Sequence, residues 1–172
     1  MNTRHMLLAA GAAITLTFAS TGALAAGSAS ASASASVTIL SPMTITKTQD
    51  MAFGQIVRPS NASPNTVVLN TSGAVSLTGA GDGSIVAGST TAAKFNLAAV
   101  AGTTYSTTQV LAFTTSGLTG IAASAPVATS GTLGVIPAGG LQEIRYGGQF
   151  DITSATPTAT YGGTLTVTIN YP

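Results

Sequence analysis

No cysteine occurs among the 172 residues, so no disulfide holds this chain together, and its stability must come from core packing and backbone hydrogen bonds. Tryptophan is absent too, and the single histidine is His5. Beyond that residue there is no imidazole to act as a general base and no Cys or His to ligate a metal. A Ser-His-Asp triad is therefore excluded, and neither a catalytic residue, a metal site nor a cofactor is expected. Charge is equally scarce, at five Lys or Arg against four Asp or Glu. A chain so poor in charge carries no electrostatic footprint for nucleic acid or an acidic membrane surface.

What the N-terminus does contain is an address. Arg4 and His5 form a positive head, Met6 to Phe18 is apolar, and small residues close on Ala23-Leu24-Ala25. That is the three-part secretory pattern with an A-x-A cleavage site, so residues 1–25 read as a signal peptide cut before Ala26. The apolar run is too short for a membrane anchor, and no membrane insertion is expected. In the exported chain Lys47, Arg58, Lys94 and Arg145 balance Asp50, Asp82, Glu143 and Asp151. Its length of about 147 residues suits one domain with a core of its own.

Next comes a Ser/Ala-rich tract over residues 26–36. From Ser28 to Ile39 the chain alternates without a slip, Ser or Thr at even positions and Ala29, Ala31, Ala33, Ala35, Val37 and Ile39 at odd ones. Low-complexity Ser/Ala sequence suits a flexible linker. Strict two-residue alternation suits a strand, and here it enters the following segment in one register. The tract is thus either a linker or a strand donated to a neighbouring subunit.

Residues 37–172 read as a single all-β domain, an immunoglobulin-like antiparallel β-sandwich with the alternating tract as its N-terminal extension. Short runs rich in Val, Ile, Thr, Phe and Leu are punctuated by Gly, Pro, Asn and Asp, and no stretch sustains helical periodicity. Strands are expected near Val37 to Lys47, Met51 to Arg58, Thr66 to Asn70, Ala74 to Thr78, Ala93 to Ala98, Thr103 to Thr108, Val110 to Thr114, Thr132 to Val135, Leu141 to Ile152 and Gly163 to Tyr171. Turns are expected at Ser60 to Asn65, Gly79 to Gly83 and Pro137 to Gly140. In the Leu141 to Ile152 strand, Ile144, Tyr146, Phe150 and Ile152 share the apolar face, with a bulge at Gly147 and Gly148. In the last strand Leu165, Val167, Ile169 and Tyr171 alternate with Thr and Asn. Tyr171 is expected to anchor that strand against the core.

Candidates for chemistry are few. No serine sits in a nucleophile elbow or an S-x-x-K pattern that would recruit Lys47 or Lys94. Glu143 and Asp151 lie roughly 25 Å apart on a regular strand, beyond either glycosidase spacing. The Gly79-Ala80-Gly81-Asp82-Gly83 loop has one carboxylate and no helix after it, so it reads as a turn and not as a calcium or phosphate site. Tyr105, Tyr146, Tyr161, Phe53, Phe95, Phe113 and Phe150 suit core bulk better than a sugar-stacking platform. Asn61-Ala62-Ser63 and Asn70-Thr71-Ser72 fit the glycosylation pattern, which by itself carries little weight. No enzyme is expected.

Two end motifs bring a resemblance into view. The opening Val37-Thr38-Ile39-Leu40-Ser41-Pro42-Met43-Thr44-Ile45-Thr46-Lys47 with Met51-Ala52-Phe53-Gly54-Gln55-Ile56-Val57-Arg58-Pro59 resembles the start of a family of exported Gram-negative bacterial proteins known as a domain of unknown function. The closing Tyr161-Gly162-Gly163-Thr164-Leu165-Thr166-Val167-Thr168-Ile169-Asn170-Tyr171 resembles its end. That family implies no activity and no catalytic residues. More remotely, the layout is similar to fimbrial subunits and spore-coat-type secreted β proteins, although the cysteine pair of many fimbrial subunits is missing. The expected function is a structural subunit of a pilus-like surface fibre or coat that self-associates by strand addition, exported through the periplasm to the cell surface. The fimbrial layout leaves open a periplasmic chaperone and an outer-membrane usher as assembly partners. The alternative is a monomeric secreted adhesin or carbohydrate-binding module.

Overall fold

The computed structural model describes residues 27–172. The expected signal peptide over residues 1–25 lies outside the described residues. A compact unit spans Thr38–Pro172, and it is all-β and antiparallel. Its strands are β1 (Thr44–Gln49), β2 (Ala52–Val57), β3 (Asn65–Leu69), β4 (Val75–Gly79), β5 (Ser84–Thr91), β6 (Ala93–Ala98), β7 (Ser106–Phe113), β8 (Thr119–Ala123), β9 (Val127–Ala128), β10 (Leu141–Tyr146), β11 (Gly148–Ile152) and β12 (Gly163–Asn170).

These strands build a two-layer sandwich whose sheets change partners partway along. One four-stranded sheet has the order β1-β6-β10-β9 and the other β4-β3-β11-β8, with two-stranded ribbons β12-β7 and β2-β5. Leu165, Val167 and Ile169 of β12 pack on Phe95, Leu97, Ile144 and Tyr146 of the first sheet. Phe53 and Ile56 of β2 pack on Val67, Phe150 and Ile152 of the second. β12 thus covers the first sheet and β2 the second, where Phe113 of β7 joins it, and burial of large apolar side chains at ~1.5–3 kcal/mol each drives the layers together.

Glycine makes two of the changes of direction possible. At Gly147 the chain passes from β10 in one sheet to β11 in the other, and a Cβ there would land on the Leu69 carbonyl oxygen. At Gly54, φ is +76° and the β2-β5 register shifts between Phe53 and Gln55. That bulge is why Phe53 and Ile56, three residues apart, both reach the same core.

Several expected strands need correction. The first does not begin at Val37, and residues 37–43 are in no strand. Its ladder stops at Thr44↔Ala98 because β6 ends there and the Ala99 N–H turns away to the Gly140 carbonyl, 3.1 Å. Leu141 to Ile152 is two strands in different sheets, since Gly147 makes a crossover where a bulge was expected. Thr103 to Thr108 and Val110 to Thr114 merge, from Ser106, into β7, and Thr132 to Val135 is a turn with one isolated bridge, Thr104↔Val135. β5, β8 and the short β9 were not anticipated. Their residues are largely exposed, so they lack the apolar alternation that marks a strand in sequence.

Candidate assembly surface

The alternating tract carries no regular structure over residues 27–43, and Ala29, Ala31, Ala33 and Ala35 are exposed. Val37 and Ile39 are 85% and 89% exposed. Thr38 and Leu40, of opposite parity, line a shallow hollow with the Val100–Thr104 turn, Tyr171 and Pro172. Two β-branched side chains of one parity are therefore left in solvent.

The terminal-strand residues behave differently. Leu165, Val167 and Ile169 are half-buried on the first core, each on the inward parity of β12, while Thr164, Thr166 and Thr168 face out. Tyr171 breaks the expectation. Its ring is 39% exposed beyond the end of β12, because the β12-β7 ladder closes at Asn170↔Ser106. Its hydroxyl donates to the Ser41 carbonyl at 2.7 Å. The side chain tethers the entry to β1 instead of anchoring the core.

A long cleft of about 1380 Å³ opens beside β2. Phe53, Leu111, Phe113, Leu118, Phe150 and Ile152 form its apolar floor, and residues 154–165 form the opposite rim. Phe150 meets Phe53 and Phe113 edge-on and Phe53 is tilted against Phe113, with ring centroids 4.9 to 6.1 Å apart. β2, which lines one side, is bonded to β5 alone, and β12, which reaches the cleft with Gly163, Thr164 and Leu165, is bonded to β7 alone, so each strand has one unpaired edge. Arg58 reaches across to the Thr156 carbonyl at 2.6 Å, tying the end of β2 to the opposite rim. Sequence reasoning missed this cleft because its walls come from four distant segments. The readable clue was three phenylalanines reserved for a core whose strands were assigned separately.

Elsewhere several of the polar residues singled out in the sequence have structural partners. Glu143 pairs with Arg145 at 2.9 Å, whereas Asp151, in the other sheet, accepts from the Thr66 hydroxyl at 2.6 Å. The crossover invalidates a spacing computed along one regular strand, yet the two carboxylates do sit in separate sheets. Asp82 accepts from the Ser60 hydroxyl, the Ser60 N–H and the Asn61 N–H, and these bonds draw its pKa down to about 2. Buried Asn65 holds the same glycine loop through the Thr78 and Gly81 carbonyls and the Gly83 N–H. Asn61 and Asn70 each accept backbone N–H groups two residues on, which makes them turn residues. Tyr105, Tyr146, Phe95 and Phe150 are core; Tyr161 lies on the cleft rim, its hydroxyl donating to the Pro157 carbonyl at 2.8 Å. Among the described residues no three His, Cys, Asp or Glu side chains gather in one place. No helix there is long and apolar enough to cross a membrane.

These features define a class, an all-β sandwich without disulfides, with unpaired edges and an extended N-terminal segment. The chain belongs to the domain of unknown function family DUF4402, whose model matches residues 43–171. No curated protein and no solved structure matches it.

Proposed function

We propose that this protein is a structural subunit that self-associates by strand addition into a fibre or coat on the surface of a bacterial cell, reached by export through the periplasm. The observation that carries this reading is the exposure of Val37 and Ile39 at the end of a twelve-residue alternating tract. A solvated linker has no use for two β-branched residues in register, whereas an added strand obtains affinity from its backbone hydrogen bonds and specificity from alternate side chains. Alanine buries little area, so Val37 and Ile39 supply most of the apolar contribution, about 1.5–3 kcal/mol each on full burial. The sandwich also leaves strand edges open, which an exported β protein must either cover or use.

Sedimentation and electron microscopy of the purified protein test the reading. Deleting Ser28 to Ser36 is expected to weaken assembly while preserving the melting temperature, and Val37→Asp with Ile39→Asp to abolish assembly. A protein that stays monomeric at high concentration and binds glycans on an array would overturn it in favour of a monomeric adhesin.

A further inference from the structure

We infer that the cleft between β2 and the start of β12 is the acceptor site for residues 34–39 of a second copy. The inference rests on the self-association reading and adds where the donated strand goes.

Length is the first argument. β2 runs for six residues, Ala52–Val57, or about 20 Å at the usual rise of an extended chain. Six residues of the tract, Ser34 to Ile39, span the same distance. They place Ala35, Val37 and Ile39 on one face and Ser34, Ser36 and Thr38 on the other. A cleft of about 1380 Å³ exceeds the usual small-molecule pocket of ~300–1,000 Å³. An extended polymer suits it better than a compact ligand.

Chemistry is the second argument. The floor is aromatic and aliphatic, and the charged residues lining the cleft stand at its two ends, Lys47 with Asp50 at one and Arg58 at the other. Residues 27–43 contain no charge at all. An uncharged strand with one apolar face meets the floor without burying an unpaired ion, and its Ser and Thr face meets water. The unpaired edges of β2 and β12 then offer backbone N–H and C=O groups on either side. Two alternative places lack this combination. The shallow hollow beside Tyr171 already holds the chain's own Thr38 and Leu40, and β9 is two residues long.

The absence of native cysteine makes the test direct. Copies carrying Ser36→Cys are mixed with copies carrying Gln55→Cys or Thr164→Cys, which are exposed positions on the two rims. Val127→Cys on edge strand β9 serves as the control. A disulfide requires the paired Cα atoms to come within ~7 Å. The expected result is a disulfide-linked dimer with at least one rim position and none above background with Val127→Cys. The dimer is expected to be lost when the Ser36→Cys copy also carries Val37→Asp and Ile39→Asp. Unmixed melting curves confirm that each variant is folded.

Crosslinking at Val127→Cys but at neither rim overturns the acceptor assignment and leaves self-association standing. A monomer that forms no interchain disulfide overturns both. A rapid intrachain disulfide in dilute Ser36→Cys/Gln55→Cys protein also overturns the proposal, because the tract would then fill its own cleft.

Discussion

Gln142 is nearly inaccessible to solvent yet fully used. Its amide donates to the Ser130 and Thr132 carbonyls at 2.8 and 3.1 Å, and its oxygen accepts from the buried Tyr105 hydroxyl. Tyr146, two rungs from Tyr105's partner on the same inward face of β10, has a buried hydroxyl that lies near the Thr107 side chain but outside hydrogen-bond geometry. Two tyrosines in one core therefore carry opposite expectations. Tyr105→Phe leaves the Gln142 oxygen without its donor and is expected to lower stability by ~1–3 kcal/mol in urea melts. Tyr146→Phe removes an unpaired group from the core and is expected to leave stability unchanged or raise it by up to ~1 kcal/mol. Burial pushes both phenols above their ordinary value. A raised folded-state value means stability that is intact below the unfolded value near pH 10 and falls as pH rises further, so the double Phe variant is expected to flatten alkaline melting curves.

At the scale of the element, the turns and crossovers carry the sharpest tests. The Ser60–Asn61 and Gly79–Gly83 loops are clasped by one carboxylate, Asp82. Its folded value near 2 lies below the unfolded one, so the stabilisation is complete above about pH 5 and is lost as pH falls through 4 towards 2. Asp82→Asn is expected to lower the melting temperature between pH 5 and 7 and to flatten the acid limb of the profile, so that the two proteins converge as pH falls towards 2. At the β10 to β11 crossover, Gly147→Ala drives a methyl group into the Leu69 carbonyl. Neither atom belongs to a flexible side-chain end, so the expected cost is at least ~1–3 kcal/mol, read as a lower denaturant midpoint. The parity of this region was legible beforehand. Ile144, Tyr146, Phe150 and Ile152 all point inward as their alternation indicates, and the same rule assigns position 142 inward. The change of sheet was not legible, because a glycine that bulges a strand and one that reroutes it leave the same letters. β5 and β8 carry a weak apolar signal for another reason: Ser84–Thr91 leaves Ile85 and Val86 exposed, and Thr119–Ala123 sets one large apolar side chain, Ile121, on the core.

For the whole molecule, scarcity of charge and sulfur sets the solution behaviour. The two ion pairs among the described residues, Lys47–Asp50 and Glu143–Arg145, are both partly or fully in solvent. Such pairs contribute about 0–1 kcal/mol each. Reductant is therefore expected to leave the melting curve unchanged, and salt up to high concentration to shift it little, both by calorimetry. The sandwich class was readable because turns recur between apolar runs. The cleft was not, because Phe53, Phe113 and Phe150 meet only once β2, β7 and β11 have been brought together by pairings distant in sequence. One consequence of the strand order concerns force. The compact unit opens at Thr38, six residues before β1, and β1 is bound to β6 by five residue pairs, Thr44↔Ala98 to Gln49↔Lys94. Tension applied to the tract along the strand axis would load those pairs in parallel, as shear, and not one after another, as in peeling. Pulled from its N-terminal side, the compact unit thus resists through a ladder whose bonds must yield together.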